Sequence, residues 1–173
     1  LSPEDFNRRP SAFSGGQCQR VAIARAIGVS PRLLVLDEVT ASLDVSIQAQ
    51  ILNLLADLRK AEGFGCLFIS HDLGAVRYMS DQVVVMYRGR IMEVLPGEDL
   101  PQNAKHPYTQ LLLNSMSFIE GQTAQESFTP KEETFQGCPF YARCPYGMER
   151  CKREIPSLKS FTQNHSVACF YNL

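Results

Sequence analysis

Asp37 and Glu38 stand side by side at the end of an apolar run, Leu33-Leu34-Val35-Leu36, and Ser70-His71-Asp72 closes a second run, Leu67-Phe68-Ile69. A carboxylate at a strand end is a common way to hold a magnesium ion, often through water. A second carboxylate next to it points the other way and is placed to orient or deprotonate a water. A histidine on a neighbouring strand adds a donor for a transferring phosphate. Upstream, Phe13-Ser14-Gly15-Gly16-Gln17 sets two glycines at a helix start, where backbone N–H groups can meet phosphate. Each signal also has a plain reading: a capped helix, a solvated turn, a hydrogen-bonded histidine. Together, in this order, they point to nucleotide chemistry.

The elements that must position these groups follow from periodicity. Ser14 and Gln17 form a capping box, which predicts a helix over 17–27 with Val21, Ala24 and Ile27 on its core side. Leu33 to Leu36 reads as a strand buried on both faces of a parallel sheet. Ile47, Ile51, Leu54, Leu55 and Leu58 predict a helix over 45–61, stopped at Glu62-Gly63. A strand over 66–70, a helix over 73–79 and a strand over 83–87 come next, and Arg88-Gly89 reads as a hairpin turn into a strand over 90–94. This alternation is the α/β class, a mostly parallel sheet with helices on its faces. Parallel strands would bring Asp37-Glu38 and His71 to the same rim, where open sheets bind ligands. After the break at Leu95-Pro96-Gly97, His106-Pro107-Tyr108 opens a helix carrying Leu111, Leu112 and Leu113, residues 119–136 read as a linker, and 137–173 form a tail.

With 173 residues and 45% hydrophobic content, the chain can bury a core, and its net charge of −1 gives no electrostatic case for nucleic acid. No apolar run reaches the roughly 18 residues of a membrane span, and the first residues carry no signal-peptide pattern. The absence of an initiator Met leads us to expect a piece of a longer polypeptide. Four of the six cysteines, Cys138, Cys144, Cys151 and Cys169, crowd into the tail, while Cys18 and Cys66 read as ordinary core or surface thiols. The tail lacks the Cys-x2–4-Cys pairs that zinc modules favour. An iron–sulfur cluster, zinc, and free or oxidised thiols are the three readings of this set.

Ser14-Gly15-Gly16-Gln17, Leu33-Leu34-Val35-Leu36-Asp37-Glu38, Ala41-Ser42-Leu43-Asp44 and His71 match, in order and spacing, the signature motif, Walker B strand, D-loop and switch histidine of ABC transporter ATPases. The chain resembles the C-terminal part of such an ATP-binding subunit. The resemblance implies part of a P-loop NTPase domain over 1–95, a His-Pro-Tyr extension and linker over 96–136, and a cysteine-rich tail over 137–173. It implies ATP and Mg2+ as ligands. Asp37 would organise magnesium, Glu38 would be the general base, and His71 would contact the γ-phosphate. Ser14, Gly15, Gly16 and Gln17 would bind ATP held by an opposite subunit, and Asp44 would pass information across that dimer. Asp44-Val45-Ser46-Ile47-Gln48-Ala49-Gln50, Met86-Tyr87-Arg88-Gly89-Arg90-Ile91 and Lys105-His106-Pro107-Tyr108-Thr109 are similar to the dipeptide and oligopeptide importer branch, which also serves nickel and glutathione.

In that branch the resemblance implies a second ATPase subunit, two transmembrane permease subunits, an extracytoplasmic solute-binding protein acting indirectly, and a peripheral place on the cytoplasmic face of a bacterial inner membrane. It also implies a [4Fe–4S] cluster on Cys138, Cys144, Cys151 and Cys169, and a helix-start packing role for His106. The chain departs from the pattern in two ways. Val39 stands where Pro is usual, and no Gly-Lys dipeptide occurs anywhere, so the P-loop is absent from these residues. Alone they are not expected to hydrolyse ATP, and a sheet without its P-loop strand is expected to expose apolar edges and to be unstable, rearranged or dimerised through them. The alternative is a non-catalytic metal-cluster or regulatory module on an ABC-type scaffold. An ABC-type ATPase of DNA repair or translation fits less well, given the His-Pro-Tyr segment and the charge.

Overall fold

A computed structural model describes residues 2, 5, 7–117 and 136–171 and divides into two compact units, 1–79 and 80–173. The linker expected over 119–136 lies outside the described residues as far as residue 135.

In the first unit, helix α1 (Gly15–Ile27) opens on the capping box read from the sequence. Ser14 Oγ accepts from the Gln17 N–H at 3.3 Å, and Gln17 Oε1 accepts from the Ser14 N–H at 3.0 Å. Its core face is Gly16, Ile23 and Ile27 rather than Val21 and Ala24; Ala24 is exposed. Gly16 sets this roll, because it lies against Ile47 so closely that a Cβ would stand 2.6 Å from the Ile47 methyl group. Strand β1 (Leu33–Asp37) leads to helix α2 (Val45–Glu62), which is capped by Asp44 and ended by Gly63 at φ +70°, a left-handed position suited to glycine. Strand β2 (Gly65–Ile69) pairs parallel with β1, matching Val35 to Leu67 and Asp37 to Ile69. Helix α3 (Leu73–Met79) follows.

Ile23, Leu34, Leu36, Ile51, Leu52, Leu55 and Met79 form the core of this unit. The helices cover only one face of the two-stranded sheet. Leu33 and Val35 remain 60% and 56% exposed, and Leu67 and Ile69 share that bare face. The expected burial of β1 on both faces is therefore corrected: an apolar run reports the apolarity of both faces, not what covers them.

In the second unit, β3 (Gln82–Tyr87) turns through Arg88 and Gly89, both at positive φ, into β4 (Arg90–Pro96). This is the turn geometry that fits the twist of a tight hairpin. The third strand therefore does not extend the parallel pair. It joins an antiparallel sheet of order β3-β4-β6-β5, because the hairpin fixes an antiparallel neighbour and the inner edge of β4 is taken by the tail. Between them lie the short α4 (Leu100–Asn103), α5 (Pro107–Ser117) with proline at its first position, and α6 (Glu149–Arg153). Strands β5 (Lys159–Thr162) and β6 (His165–Val167) complete the sheet, with Val94 of β4 opposite Ser166.

Candidate functional site

At the C-terminal rim of β1 and β2, the Glu38 N–H donates to the Ile69 carbonyl at 2.9 Å, which carries the ladder one residue past the strand. Glu38 has φ +47°, an uncommon backbone for a residue with a side chain and one often found at functional sites. Its carboxylate lies 3.3 Å from His71 Nδ1, with both side chains more than half exposed. Asp37 is exposed at the same strand end. The next residue, Val39, packs its branched side chain on the core cluster, which accounts for an apolar residue at that position.

The loop carrying His71 is held by polar contacts that the motifs did not announce. Ser70 Oγ accepts from the Asp72 N–H at 3.0 Å, and Asp72 Oδ1 accepts from the N–H groups of Gly74 and Ala75, capping α3. Asp72 Oδ2 takes a 2.6 Å hydrogen bond from Gln48 Nε2. Gln48 lies one helical turn beyond Asp44, and no local pattern in the sequence announces its bond to a residue 24 positions away. Asp44 accepts from the Ile47 N–H at 2.9 Å and from Ser46 Oγ at 2.8 Å, and those bonds hold its carboxyl below the usual range. The glycine turn abuts the same segment, since a Cβ on Gly15 would stand 3.4 Å from Leu43.

In the second unit, Cys138, Cys144, Cys151 and Cys169 line one cavity, together with Phe140 and the stacked pair Tyr146 and Tyr171. Cys138 is tied to Cys151 by a backbone hydrogen bond of 2.8 Å. Burial pushes the Cys138 thiol up and the Cys144 thiol up to about 11. Among the described residues no group of three or more His, Cys, Asp or Glu is placed to hold a metal ion, so the iron–sulfur expectation gains a common cavity and no ligand set. Cys18 is exposed and Cys66 half-buried.

Sequence reading passed over Glu93 and His165. Glu93 is fully buried and accepts from His165 Nε2 at 2.7 Å and from the backbone N–H groups of Lys105 and His106 at 2.7 and 3.1 Å. His106 is buried at the start of α5, where its Nδ1 accepts from the Tyr108 N–H at 3.0 Å. Burial holds its imidazole down at about 4, against the pull of Glu93, from an ordinary 6.5. The unfolded chain therefore takes up the proton first. The contribution of neutral His106 is complete above pH 6.5 and is lost as pH falls toward 4, up to about 3 kcal/mol. Urea midpoints measured across that window should fall with pH, and a flat profile would contradict the burial of this ring.

Residues 1–41 match the family model "ABC transporter", and residues 92–151 match "Oligopeptide/dipeptide transporter, C-terminal region". The chain is 44% identical to the di/tripeptide transport ATP-binding protein DppF of Pseudomonas aeruginosa, over 99% of its own length and 54% of that protein's. It belongs to the ATP-binding family of ABC transporters. The oligopeptide transport ATP-binding protein AppF of Bacillus subtilis is also 44% identical, over 98% of this chain and 54% of its own length. The chain thus spans about half the length of the curated relatives it matches. Among solved structures, an ATP-binding cassette of an ABC transporter in its ADP conformation matches with a TM-score of 0.53 and 28% identity, over 61% of this chain and 43% of that one. The matched part of the chain thus has the α/β fold of ABC ATPase domains. No described helix is long and apolar enough to cross a membrane.

Proposed function

We propose that these residues form the signature, Walker B and switch-histidine portion of an ATPase subunit that couples ATP hydrolysis to the import of peptides, or of a related solute such as nickel or glutathione. The observation that carries this reading is the meeting of Glu38 and His71 at 3.3 Å on one rim, beside Asp37. Glu38 takes a proton from the water that attacks the γ-phosphate, and His71 donates a hydrogen bond to the transferred phosphoryl group. The exposed Asp37 carboxylate suits a hard cation held through water, and Mg2+ bound there would neutralise charge developing on the phosphates. Ser14, Gly15, Gly16 and Gln17, at the N-terminus of the 13-residue helix α1, meet the phosphates of ATP held by an opposite subunit, with the N–H groups of Gly15 and Gly16 donating and the Ser14–Gln17 box holding the turn. Asp44 borders the same surface. The reading includes a second ATPase subunit, two permease subunits, a solute-binding protein that delivers the solute, and a peripheral place at the inner face of a bacterial membrane.

The test supplies the missing phosphate cradle. Co-expression with a P-loop-bearing N-terminal segment of a peptide-importer ATPase should yield an assembly that hydrolyses ATP, and Glu38→Gln should lower its turnover about 100-fold or more while ATP binding persists. Hydrolysis indifferent to Glu38 would defeat the assignment.

The second reading concerns the tail. Cys138, Cys144, Cys151 and Cys169 share one apolar cavity, and thiolates are the soft donors that iron–sulfur chemistry uses. A [4Fe–4S] cluster takes one thiolate at each iron, and four cysteines on one cavity wall match that count. Anaerobic reconstitution should give a brown protein containing iron and sulfide, and metal analysis finding zinc alone would overturn this.

A further inference from the structure

The side chain of His71 is 72% exposed, so little packing holds the ring, and its place beside Glu38 is set by its backbone. Upstream, that backbone leaves β2 at Ile69, whose carbonyl accepts from the Glu38 N–H. Downstream it enters Asp72, and both carboxylate oxygens of Asp72 are engaged. Oδ1 accepts from the N–H groups of Gly74 and Ala75 at the start of α3, at 2.8 and 3.2 Å. Oδ2 accepts from Gln48 Nε2 at 2.6 Å. An ionised carboxylate only accepts, so the Gln48 amide turns its NH2 group toward it. The far end of α3 is tied to the same helix α2: Tyr78 Oη donates to Asn53 Oδ1 at 2.7 Å, and Arg59 Nη1 donates to the Met79 carbonyl at 3.2 Å. Helix α2 thus holds the segment 72–79 at both ends, and the Gln48 bond is the one next to the histidine.

We propose that Gln48 is a positioning residue for His71: its bond to Asp72 fixes the backbone from which the histidine meets Glu38 and the transferred phosphoryl group. The inference rests on the roles proposed above for Glu38 and His71. The cap on α3 does not depend on Gln48, because the Gly74 and Ala75 N–H groups use the other oxygen. The buried face of α3, made of Ala75, Val76 and Met79, does not involve Gln48 either. Loss of the amide donor therefore leaves the helix formed and releases its leading end from α2. His71 then covers a wider range of positions at the rim, while Glu38 stays on the ladder through its own N–H. A misplacement of about 1 Å at a reacting group can cost about 100-fold in rate, so one bond at this point is enough to matter.

The activity test uses the assembly formed with a P-loop-bearing segment. Gln48→Leu, similar in size but without a donor, should lower kcat about ten-fold with the KM for ATP unchanged. Gln48→Lys, which returns a donor on a longer arm, should recover most of that rate, and Gln48→Glu, which sets a like charge against Asp72, should not. In a His71→Ala background, Gln48→Leu should have no further effect, because the group it positions is gone. A loss that persists without the histidine, a raised KM at unchanged kcat, no loss at all, or a lysine as poor as leucine would each overturn the proposal. A second measurement needs no hydrolysis. Nitrogen-15 relaxation of the full chain, which reads ps–ns motion, should show the order parameter of the His71 amide falling from about 0.85 to about 0.6 in Gln48→Leu and staying high in Gln48→Lys. An unchanged value in Gln48→Leu would also sink the idea. A wild-type assembly that fails to hydrolyse ATP counts against the reading of the site, and the relaxation result still decides whether Gln48 holds the histidine.

Discussion

Glu93→Ala is expected to lower the stability of the 80–173 unit by about 3–5 kcal/mol, the cost of leaving several buried hydrogen-bond donors without their acceptor. The carboxylate is fully buried and serves three donors: His165 Nε2 and the N–H groups of Lys105 and His106. Alanine leaves all three without an acceptor and opens a cavity at the middle of β4. Domains hold a total of about 5–15 kcal/mol, so the loss should appear as a much lower urea midpoint and a measurable unfolded population at room temperature. Glu93→Gln, which keeps one carbonyl acceptor but loses the charge, should fall between wild type and alanine. A midpoint for Glu93→Ala within error of wild type would show that the node is dispensable.

Gly137→Ala is expected to be nearly as damaging, for a steric reason. A Cβ there would collide with the Cys151 carbonyl oxygen and stand 2.6 Å from the Lys152 carbonyl carbon, and backbone cannot swing aside as a side-chain tip can. The hydrogen bond from the Cys138 N–H to the Cys151 carbonyl lies at the same place. Overpacking of this kind costs about 1–3 kcal/mol, and more where no rotamer relieves it. The two segments must part, which takes Cys138 and Cys151 away from each other. A thermal melt and alkylation of those two thiols report both effects. An unchanged melting temperature with both thiols still protected would refute the close approach.

Local chemistry was the most legible part of this sequence. The Ser14–Gln17 capping box, the Gly63 stop and the Arg88-Gly89 turn are each decided within a few residues, and the structure has each where the pattern placed it. The meeting of Glu38 with His71 was legible one level up, from two apolar runs ending in chemistry and a parallel pairing between them. What failed to show was anything settled by distant partners. The residues of β1 were apolar enough for two buried faces, but only Leu34 and Leu36 found helices to cover them. Glu93 reads as an outward polar residue in a strand, and its burial is decided by a histidine 72 positions away. Gln48 reads as a surface position on an amphipathic helix until Asp72 is brought to it.

That last contact has a mechanical consequence. Helix α2 is an 18-residue rod whose first turn follows Asp44, and Gln48 joins that turn to the residue next to His71 by a single short bond. Any tilt of the rod's leading end must either drag Asp72 along, and the histidine with it, or snap the link. The loop carrying His71 is therefore geared to whatever presses on the segment around Leu43 and Asp44, and it answers to displacement at that end without touching the object that pushes.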